Sequence, residues 1–151
     1  MKIKIKKLNS QAVLPFYAKE GDAGMDVVAV SVNYTEDYVE YGTGLSFEIP
    51  VGYAMLIFPR SSNSNKDILL CNSVGILDSG YRGELKLRYK RVLPHCCNTE
   101  GFLQIGPLKI YELGDKVGQI MIIPYPKVEW DECIELSETN RGTGGFGSTD
   151  S

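Results

Sequence analysis

The chain has 151 residues, of which 43% are apolar, and a formal net charge of −3 at pH 7. A chain of this length and composition predicts one domain with a hydrophobic core of its own. The isoelectric point near 5.2 and the lack of a basic stripe argue against a nucleic-acid partner.

Membrane and metal signals are weak in this sequence. No apolar run approaches the ~20 residues of a membrane span, and the opening MKIKIKKL lacks the apolar stretch of a signal peptide. The cysteines, Cys71, Cys96, Cys97 and Cys133, form no CxxC pair, and His95 is the only histidine. This pattern argues against a zinc site and favours free thiols in a reducing cytoplasm, with no membrane partner.

Short apolar runs follow one another along the chain, each bounded by Gly, Pro, Asn or Asp. Ile3 and Ile5 alternate with lysines, and the later runs read GMDVVAV, LSFEIP, YAMLIFP, DILLCN, ELKLRYK and GQIMIIP. Their lengths and spacing are typical of strands, with one short turn allowed at residues 61–66 and a loop at 92–107. The sequence therefore predicts an all-β, antiparallel sandwich or barrel.

Two polar stretches interrupt the strands. Residues 75–84, GILDSGYRGE, combine glycines, two carboxylates, an arginine and a tyrosine between apolar segments. Taken alone they predict a hairpin. Residues 58–66, FPRSSNSNK, place two cations and several hydroxyls on one turn, and taken alone they are typical of a solvated polar loop.

The end of the chain is polar and glycine-rich from about residue 137 and reads ETNRGTGGFGSTDS after that point. Such tails are commonly disordered. Here, however, Arg141 precedes a glycine run that Phe146 interrupts. Glycine lets backbone N–H groups approach an anion, arginine supplies a forked cation and phenylalanine a stacking face. This combination suits the phosphates and base of a nucleotide, although no GxxxxGK[ST] motif occurs.

Five segments, taken in order, resemble the five motifs of the trimeric dUTPases. They are AGMDVVA (23–29), PRSSNSNK (59–66), NSVGILDSGYRGE (72–84), GDKVGQIMI (114–122) and RGTGGFGSTD (141–150). The resemblance implies a jelly-roll-type β-barrel over residues 1–136 and a glycine-rich C-terminal arm, 137–151, that closes over the active site. It implies a cytoplasmic homotrimer with shared active sites that converts dUTP to dUMP and pyrophosphate, which keeps uracil out of DNA and supplies dUMP for thymidylate synthesis.

The resemblance also assigns roles around the base and sugar. Asp78 is the expected general base that deprotonates and aims the attacking water. Tyr81 is expected to stack under the deoxyribose and to collide with a ribose 2′-hydroxyl. The groups expected to read the uracil edge, mainly through their backbone, are Asn72, Gly75, Ile76, Leu77 and Lys86.

A second set of roles concerns the phosphates. The groups expected to hold them are Arg60, Ser61, Ser62 and Gln119. Asp26 is expected to orient Arg60, with a strand-end cap as the alternative. The arm residues expected to close over the nucleotide are Arg141, Phe146, Gly147 and Ser148. Mg²⁺ is expected as cofactor, held through the substrate phosphates and water, so no protein ligand is predicted.

Two departures and two alternatives remain. Gly80 stands where many family members have a second aspartate, and the 92–107 loop with Cys96 and Cys97 is longer than expected and has no assigned role. A dCTP deaminase-like enzyme of the same fold is one alternative; it needs a glutamate to assist attack on cytosine and usually lacks the glycine-rich tail. The other is a dUTPase-like, nucleotide-gated regulatory binding protein.

Overall fold

The computed structural model describes residues 1–92 and 107–145. Within these ranges the elements are short strands and one 3-10 helix. They are β1 (Lys4–Lys7), β2 (Met25–Val28), β3 (Ser31–Tyr34), β4 (Val39–Gly42), β5 (Leu45–Glu48), β6 (Tyr53–Phe58), the 3-10 helix (Ser61–Asn65), β7 (Ile68–Leu70), β8 (Gly75–Leu77), β9 (Lys86–Arg91) and β10 (Lys116–Pro124). In this part of the chain no helix has the length and apolar character needed to cross a membrane.

The strands pair antiparallel and form three sheets. A small sheet joins β1 to β5, and the two larger sheets have the strand orders β2-β10-β6-β8 and β3-β4-β9-β7. The prediction of an all-β architecture is confirmed. Over the described residues these sheets remain open and do not close into a single barrel.

Three strands were not predicted, and their sequences explain why. β4 contains Glu40 and Gly42, residue types that strands disfavour, yet all four of its residues are buried. β3 is mostly exposed and reads SVNY, while β8 has only three residues. The seven predicted apolar runs coincide with the other strands, and the turn allowed at 61–66 is the 3-10 helix.

The hairpin predicted for residues 75–84 is wrong. β8 pairs with β6 in one sheet, whereas β9 pairs with β4 and β7 in another. Residues 78–85 therefore cross between sheets, and we call them the β8–β9 crossover. The prediction failed because glycine- and aspartate-rich turns serve hairpins and sheet-to-sheet connections alike, and pairing partners are set by non-local contacts.

One hydrophobic cluster joins the sheets, and three buried tyrosines lie within it. The rings of Tyr41, Tyr89 and Tyr111 meet edge to face in every pairing, with centroids 5.7 to 5.9 Å apart. The Tyr41 hydroxyl donates to the Tyr111 carbonyl at 3.0 Å, and the Tyr89 hydroxyl donates to the Val117 carbonyl at 2.6 Å. Burial raises the pKa of Tyr41 to about 12. These phenols therefore stay protonated and act as donors inside the core.

A buried carboxylate ties β4 to β9. Glu40, which is 8% exposed, lies opposite Arg88 in the strand register. Its two oxygens accept from Lys86 Nζ at 2.9 Å and from Arg88 Nε at 2.7 Å. The hydrogen bond from Lys86 holds the pKa of Glu40 below its ordinary value, against the opposing effect of burial. The ionised form is thus the one that the fold stabilises.

We predict that Glu40→Gln lowers the free energy of unfolding at pH 7 by about 1–2 kcal/mol, since it removes the charge from two hydrogen-bonded pairs whose cations remain partly solvated. Because the pKa of Glu40 is lower in the folded state, its contribution is complete above the unfolded pKa of ~4.3 and is lost as the pH falls through the folded pKa. Urea titrations from pH 7 to pH 3 should therefore show the wild-type advantage shrinking below pH ~4.3. Glu48→Gln, which alters an exposed pair with Lys4, is the matched control and should change little. A constant difference across this pH range contradicts the assignment.

Gly118 is required by packing, and Gly80 is not. A Cβ added at Gly118 would lie 2.5 Å from Leu87 Cδ2 and 3.1 Å from the Phe58 carbonyl oxygen, whereas one added at Gly80 meets no atom within 4 Å. We predict that Gly118→Ala lowers the free energy of unfolding by about 1–3 kcal/mol, while Gly80→Ala leaves it unchanged or raises it by about 0.4–1 kcal/mol. Urea denaturation at one protein concentration measures both. Equal effects of the two substitutions would contradict this packing.

Candidate active site

The first of two candidate pockets surrounds Asp78. This Asp78 pocket is a cavity of about 270 Å³ where the edge of one large sheet meets the other. Residues of β4, β6, β8 and β9 and of the turns that flank β8 line it: Glu40, Ile57, Asn72, Ile76, Leu77, Asp78, Tyr81, Glu84, Leu85, Lys86 and Arg88. The predicted base and most of the predicted uracil-reading residues therefore lie together.

Strand β8 supplies free backbone groups to this pocket. Among the described strands it is the last of its sheet and pairs with β6 alone, so the N–H and C=O groups on its outer side have no partner in any of these strands. The Asn72 amide lies close over the strand, because a Cβ at Gly75 would be only 3.0 Å from Asn72 Nδ2. Gly75 therefore allows the amide to approach. The arrangement can present hydrogen-bond donors and acceptors to a planar ligand edge.

The β8–β9 crossover holds the Asp78 carboxylate at the pocket. Asp78 is exposed, and its carbonyl oxygen accepts from the Tyr81 N–H at 3.1 Å. Arg82 fixes the same turn, because its Nη1 donates to the Ser79 carbonyl at 2.6 Å and to the Tyr81 carbonyl at 2.9 Å. Arg82 had no predicted role, and its position in the turn becomes apparent only from these contacts. The carboxylate is thus solvated and mounted on a braced turn.

The Tyr81 ring lies beside this carboxylate in a defined position. Its hydroxyl donates to the Glu84 carbonyl at 3.1 Å, and a Cβ at Gly83 would clash with the ring and its hydroxyl. The Glu84 carboxylate accepts from the Gly44 N–H at 2.7 Å, which anchors the end of the crossover. Gly83 therefore allows the ring to fold back over the crossover.

The second pocket surrounds Arg60. This Arg60 pocket is a cavity of about 640 Å³. Its lining comes from the segment before β2, from β2 itself, from the end of β6 and from β10: Ala18, Asp22, Ala23, Gly24, Asp26, Phe58, Pro59, Arg60, Ser61, Gln119 and Met121. β10 is central to its sheet, and its Gln119 pairs with Asp26 on one side and with Phe58 on the other. This register brings the two motifs together.

A buried carboxylate organises the cations of the Arg60 pocket. Asp26, which is 7% exposed, forms ion pairs with Arg60 Nε at 2.7 Å and with Lys116 Nζ at 2.8 Å. Arg60 Nη1 also donates to Ser62 Oγ at 3.2 Å. The predicted contact between Asp26 and Arg60 is present, and Lys116 is a partner that the sequence reasoning missed. Arg60 is the cation that lines this pocket, beside Asp22 and Asp26, whereas Lys116 lines the smaller neighbouring cavity. By taking up part of the Asp26 charge, Lys116 leaves the Arg60 guanidinium better able to hold an anionic ligand.

Gln119 is held at the wall of this pocket. Its Nε2 donates to the Pro59 carbonyl at 3.2 Å, and a Cβ at Gly24 would lie 2.7 Å from its Oε1. Gly24 therefore leaves the room that this amide occupies. The position of Gly24 in the AGMD motif has a steric reason that the sequence alone did not reveal.

The predicted site residues fall into separate groups. The Asp78 and Arg60 pockets have no lining residue in common. Ser62 lines neither of them and instead faces a smaller cavity of about 310 Å³ on the other side of Arg60. Arg141 lies in an exposed turn, where its Nε donates to the Gly144 carbonyl at 3.0 Å. Phe146, Gly147 and Ser148 lie outside the described residues, as does most of the 92–107 loop with Cys96 and Cys97.

Within the described ranges, no three or more His, Cys, Asp and Glu side chains lie close enough together to hold a metal ion. Asp26 is the most buried of the pocket carboxylates and is already paired with two cations. Exposed Cys71 and Cys133 are free thiols, as the sequence predicts.

Comparisons with known proteins identify the family of this chain. The dUTPase family model matches residues 10–90. The deoxyuridine 5'-triphosphate nucleotidohydrolase of Hydrogenobaculum sp. (strain Y04AAS1) is 39% identical over 153 aligned residues, which cover 99% of this chain and 98% of that protein. The corresponding protein of Clostridium kluyveri is 38% identical, again over 99% of this chain and 98% of the relative.

Solved structures show the same fold. The dUTPase of Staphylococcus bacteriophage 80alpha with dUPNHPP superposes with a TM-score of 0.76 at 26% identity, over 97% of each chain. A mutant dUTPase of phage phi11 of S. aureus, whose structure concerns coordination of a structural Mg(II) ion, gives a TM-score of 0.68 at 24% identity, over 89% of this chain and 98% of that one. The three open sheets fit the jelly-roll-type fold of these proteins. From its family model, its relatives along nearly the whole length and its fold, this chain belongs to the dUTPase family.

Proposed function

We propose that this protein hydrolyses dUTP to dUMP and pyrophosphate, with the base bound in the Asp78 pocket and Asp78 as the general base. The observation that carries the proposal is the free outer edge of β8 next to the exposed Asp78 carboxylate and the Tyr81 ring in one cavity. An edge of backbone donors and acceptors can read a pyrimidine, and a carboxylate beside it can activate water for attack on the α-phosphate.

Base selection follows from the rigidity of this edge. Backbone groups of Gly75, Ile76 and Leu77 cannot exchange donor for acceptor, so the exocyclic amine of cytosine would meet a donor where uracil offers an oxygen. An unpaired buried polar group costs about 1–3 kcal/mol, which makes mismatched pairing an effective discriminator. We assign exclusion of the thymine methyl group to the turn that flanks β8, which borders the base-binding end of the pocket.

Sugar selection is assigned to Tyr81. Its hydroxyl donates a hydrogen bond to the Glu84 carbonyl of the β8–β9 crossover. The ring can therefore resist displacement when a sugar packs against it. We place the deoxyribose on this ring, where a ribose 2′-hydroxyl would collide with it. The mechanism is steric exclusion and needs no additional hydrogen bond.

The triphosphate is assigned to the Arg60 pocket. Arg60 and Ser61 offer a forked cation and a hydroxyl, and Gln119 lies across from them. The ion pair with Asp26 fixes the Arg60 guanidinium before substrate arrives, so little reorganisation is needed as charge develops on the leaving pyrophosphate. Asp78 then takes the proton from the water that attacks in line with that leaving group.

Magnesium is proposed as the cofactor, held by the substrate phosphates and water. Phosphate and water oxygens are the hard ligands that Mg²⁺ prefers, and at nucleotide sites the ion is commonly held by them. When bound, the ion supplies partial neutralisation of the phosphate oxygens. Arg60 orients the chain of phosphates, and Asp78 moves the proton.

We also propose a homotrimer whose chains share active sites. Residues 125–138 follow β10 as an exposed segment, which we call the acidic strap. Its apolar side chains lie in solvent: Tyr125, Val128, Trp130, Ile134 and Leu136. Its acidic residues alternate with several of them: Glu129, Asp131, Glu132, Glu135 and Glu138. An exposed alternating segment of this kind is suited to pair with another chain.

Strand β1 offers a matching surface for the acidic strap. Among the described strands it pairs only with β5, and its outward side chains include Lys4 and Lys6. Beside it lies an apolar cavity of about 440 Å³ with Ile3, Ile5 and Ile122 in its wall. A strap from a neighbouring chain would place apolar side chains in this cavity and carboxylates near the lysines. Cyclic exchange of this kind would carry Arg141 and the 137–151 arm to the active site of another subunit.

The dCTP deaminase alternative is less well supported. The Asp78 pocket contains Glu40 and Glu84, but Glu40 is paired with two cations and Glu84 accepts from the Gly44 N–H. Neither is free to assist attack on a cytosine ring. The alternative of a nucleotide-gated regulatory protein stays a hypothesis, and the assays below measure catalysis directly.

We predict that Asp78→Asn keeps nucleotide binding while kcat for dUTP falls about 10²–10⁴-fold, the usual effect of losing a general base. Pyrophosphate release measures kcat, and calorimetry with a non-hydrolysable dUTP analogue measures binding. Asp37→Asn is the control, because Asp37 is a well-exposed carboxylate outside both pockets. Turnover close to wild type in Asp78→Asn would remove Asp78 from the mechanism.

We predict that two inactive variants restore activity when they are mixed. Asp78→Asn supplies an intact arm, and a truncation after Asn140 supplies an intact Asp78. Refolded together in equal amounts, random assortment around a three-fold axis should complete about a quarter of the sites. Recovery of roughly that fraction of wild-type pyrophosphate release supports shared sites, with each variant refolded alone as the control. No recovery in mixed trimers verified by native mass spectrometry would mean that each arm serves its own chain.

A further inference from the structure

The 3-10 helix Ser61–Asn65 carries the proposed phosphate-binding Ser61 but has no apolar anchor. None of its residues is buried, and its N-cap, Arg60, makes no side-chain capping bond. A short 3-10 turn has weak internal hydrogen bonding, so its position must be fixed from outside. The structure provides this through Asn63, whose Nδ2 donates to the Ile68 carbonyl at 2.9 Å and whose Oδ1 accepts from the Tyr111 hydroxyl at 3.2 Å.

Tyr111 is itself held firmly. It is 2% exposed, and its ring packs edge to face on Tyr41 and Tyr89 with centroids 5.9 and 5.7 Å away. The Tyr41 hydroxyl fixes its backbone at 3.0 Å, and Lys66 Nζ lies 5.0 Å from the ring centroid. The hydroxyl of Tyr111 therefore emerges from the core at a fixed point below the 3-10 helix.

Tyr111 is also linked to Arg60 through the 3-10 helix itself. Its hydrogen-bond partner Asn63 is the chain neighbour of Ser62, whose Oγ accepts from Arg60 Nη1 at 3.2 Å. Arg60, Ser62 and Tyr111 line one cavity of about 310 Å³. Burial raises the pKa of Tyr111, so the phenol remains a neutral donor at neutral pH and this network does not depend on a proton being lost.

We propose that Tyr111 is a positioning residue for phosphate binding, whose hydroxyl holds the 3-10 helix through Asn63 and thereby sets the orientation of Arg60 and Ser61. This rests on the proposed function in one respect, the assignment of the triphosphate to Arg60. Tyr89 provides the contrast within the same cluster. Its hydroxyl donates to the Val117 carbonyl of a central strand, and among the described residues no hydrogen bond joins it to the 3-10 helix.

Tyr111→Phe and Tyr89→Phe are therefore matched variants, since each removes one buried hydroxyl and keeps the ring. Pyrophosphate, as a competitive inhibitor, probes the Arg60 pocket, and deoxyuridine probes the Asp78 pocket without phosphates. Tyr111→Phe should raise the inhibition constant of pyrophosphate about 5–10-fold, the effect of one lost hydrogen bond. The inhibition constant of deoxyuridine should change by less than about 2-fold, which is smaller than the effect of one lost hydrogen bond. Tyr89→Phe should lower the melting temperature without changing either constant.

Asn63→Ala tests the same link from the partly exposed side and serves if Tyr111→Phe does not fold. It should weaken pyrophosphate inhibition at least as much as Tyr111→Phe does, because it also removes the bond to the Ile68 carbonyl. The double variant should be no weaker than Asn63→Ala alone, because the bond between Tyr111 and Asn63 is lost in both single variants. Equal weakening of pyrophosphate and deoxyuridine, full additivity, or no effect on pyrophosphate overturns the inference. Arg60→Gln separates the two proposals. If it leaves pyrophosphate inhibition unchanged, the assignment of the phosphates to Arg60 fails. If pyrophosphate inhibition weakens in Arg60→Gln but not in Tyr111→Phe, only the role of Tyr111 is rejected.

Discussion

Strand β8 pairs with β6 along one side, and the chain then leaves that sheet through the β8–β9 crossover. Because no other strand in the described part of the chain covers its outer side, backbone donors and acceptors remain available in a fixed order. The crossover that ends the strand also places Asp78 and Tyr81 beside that edge. A hairpin in the same position would have paired β8 with β9 and occupied the backbone groups that we propose for base recognition.

The tyrosine cluster connects the region of strand β8 to the region of the Arg60 pocket. Tyr41 and Tyr89 lie on β4 and β9, the strands that form the floor of the Asp78 pocket, while Tyr111 reaches the 3-10 helix next to Arg60. Edge-to-face aromatic packing and bonded hydroxyls make the cluster resistant to repacking. One core thus fixes the geometry of two pockets that have no lining residue in common. Because the two pockets have separate linings on one chain, a site shared between subunits is the simplest explanation of how both could bind one nucleotide.

The sequence predicted the parts of this arrangement that are local. Alternating or continuous apolar runs indicated seven strands, and the ordered motifs indicated functional roles for Asp78, Arg60 and Asp26. Pairing could not be predicted in the same way. The hairpin interpretation failed because β8 and β9 choose different partners, and Glu40 could not be matched to Lys86 and Arg88 because 46 and 48 residues separate them. Lys116 and Tyr111 were missed for the same reason, since their roles lie in contacts with distant turns.

The central claim is that a rigid backbone edge selects uracil, and Tyr81 selects deoxyribose, before the triphosphate is cleaved. The direct test is the initial rate of pyrophosphate release from dUTP, dCTP, dTTP and UTP with one enzyme preparation and Mg²⁺. The account predicts that kcat/KM for dUTP exceeds that for each of the others by at least about 100-fold, in line with rejection by unpaired buried polar groups. Comparable rates for all four nucleotides, or ammonia release from dCTP, would contradict it.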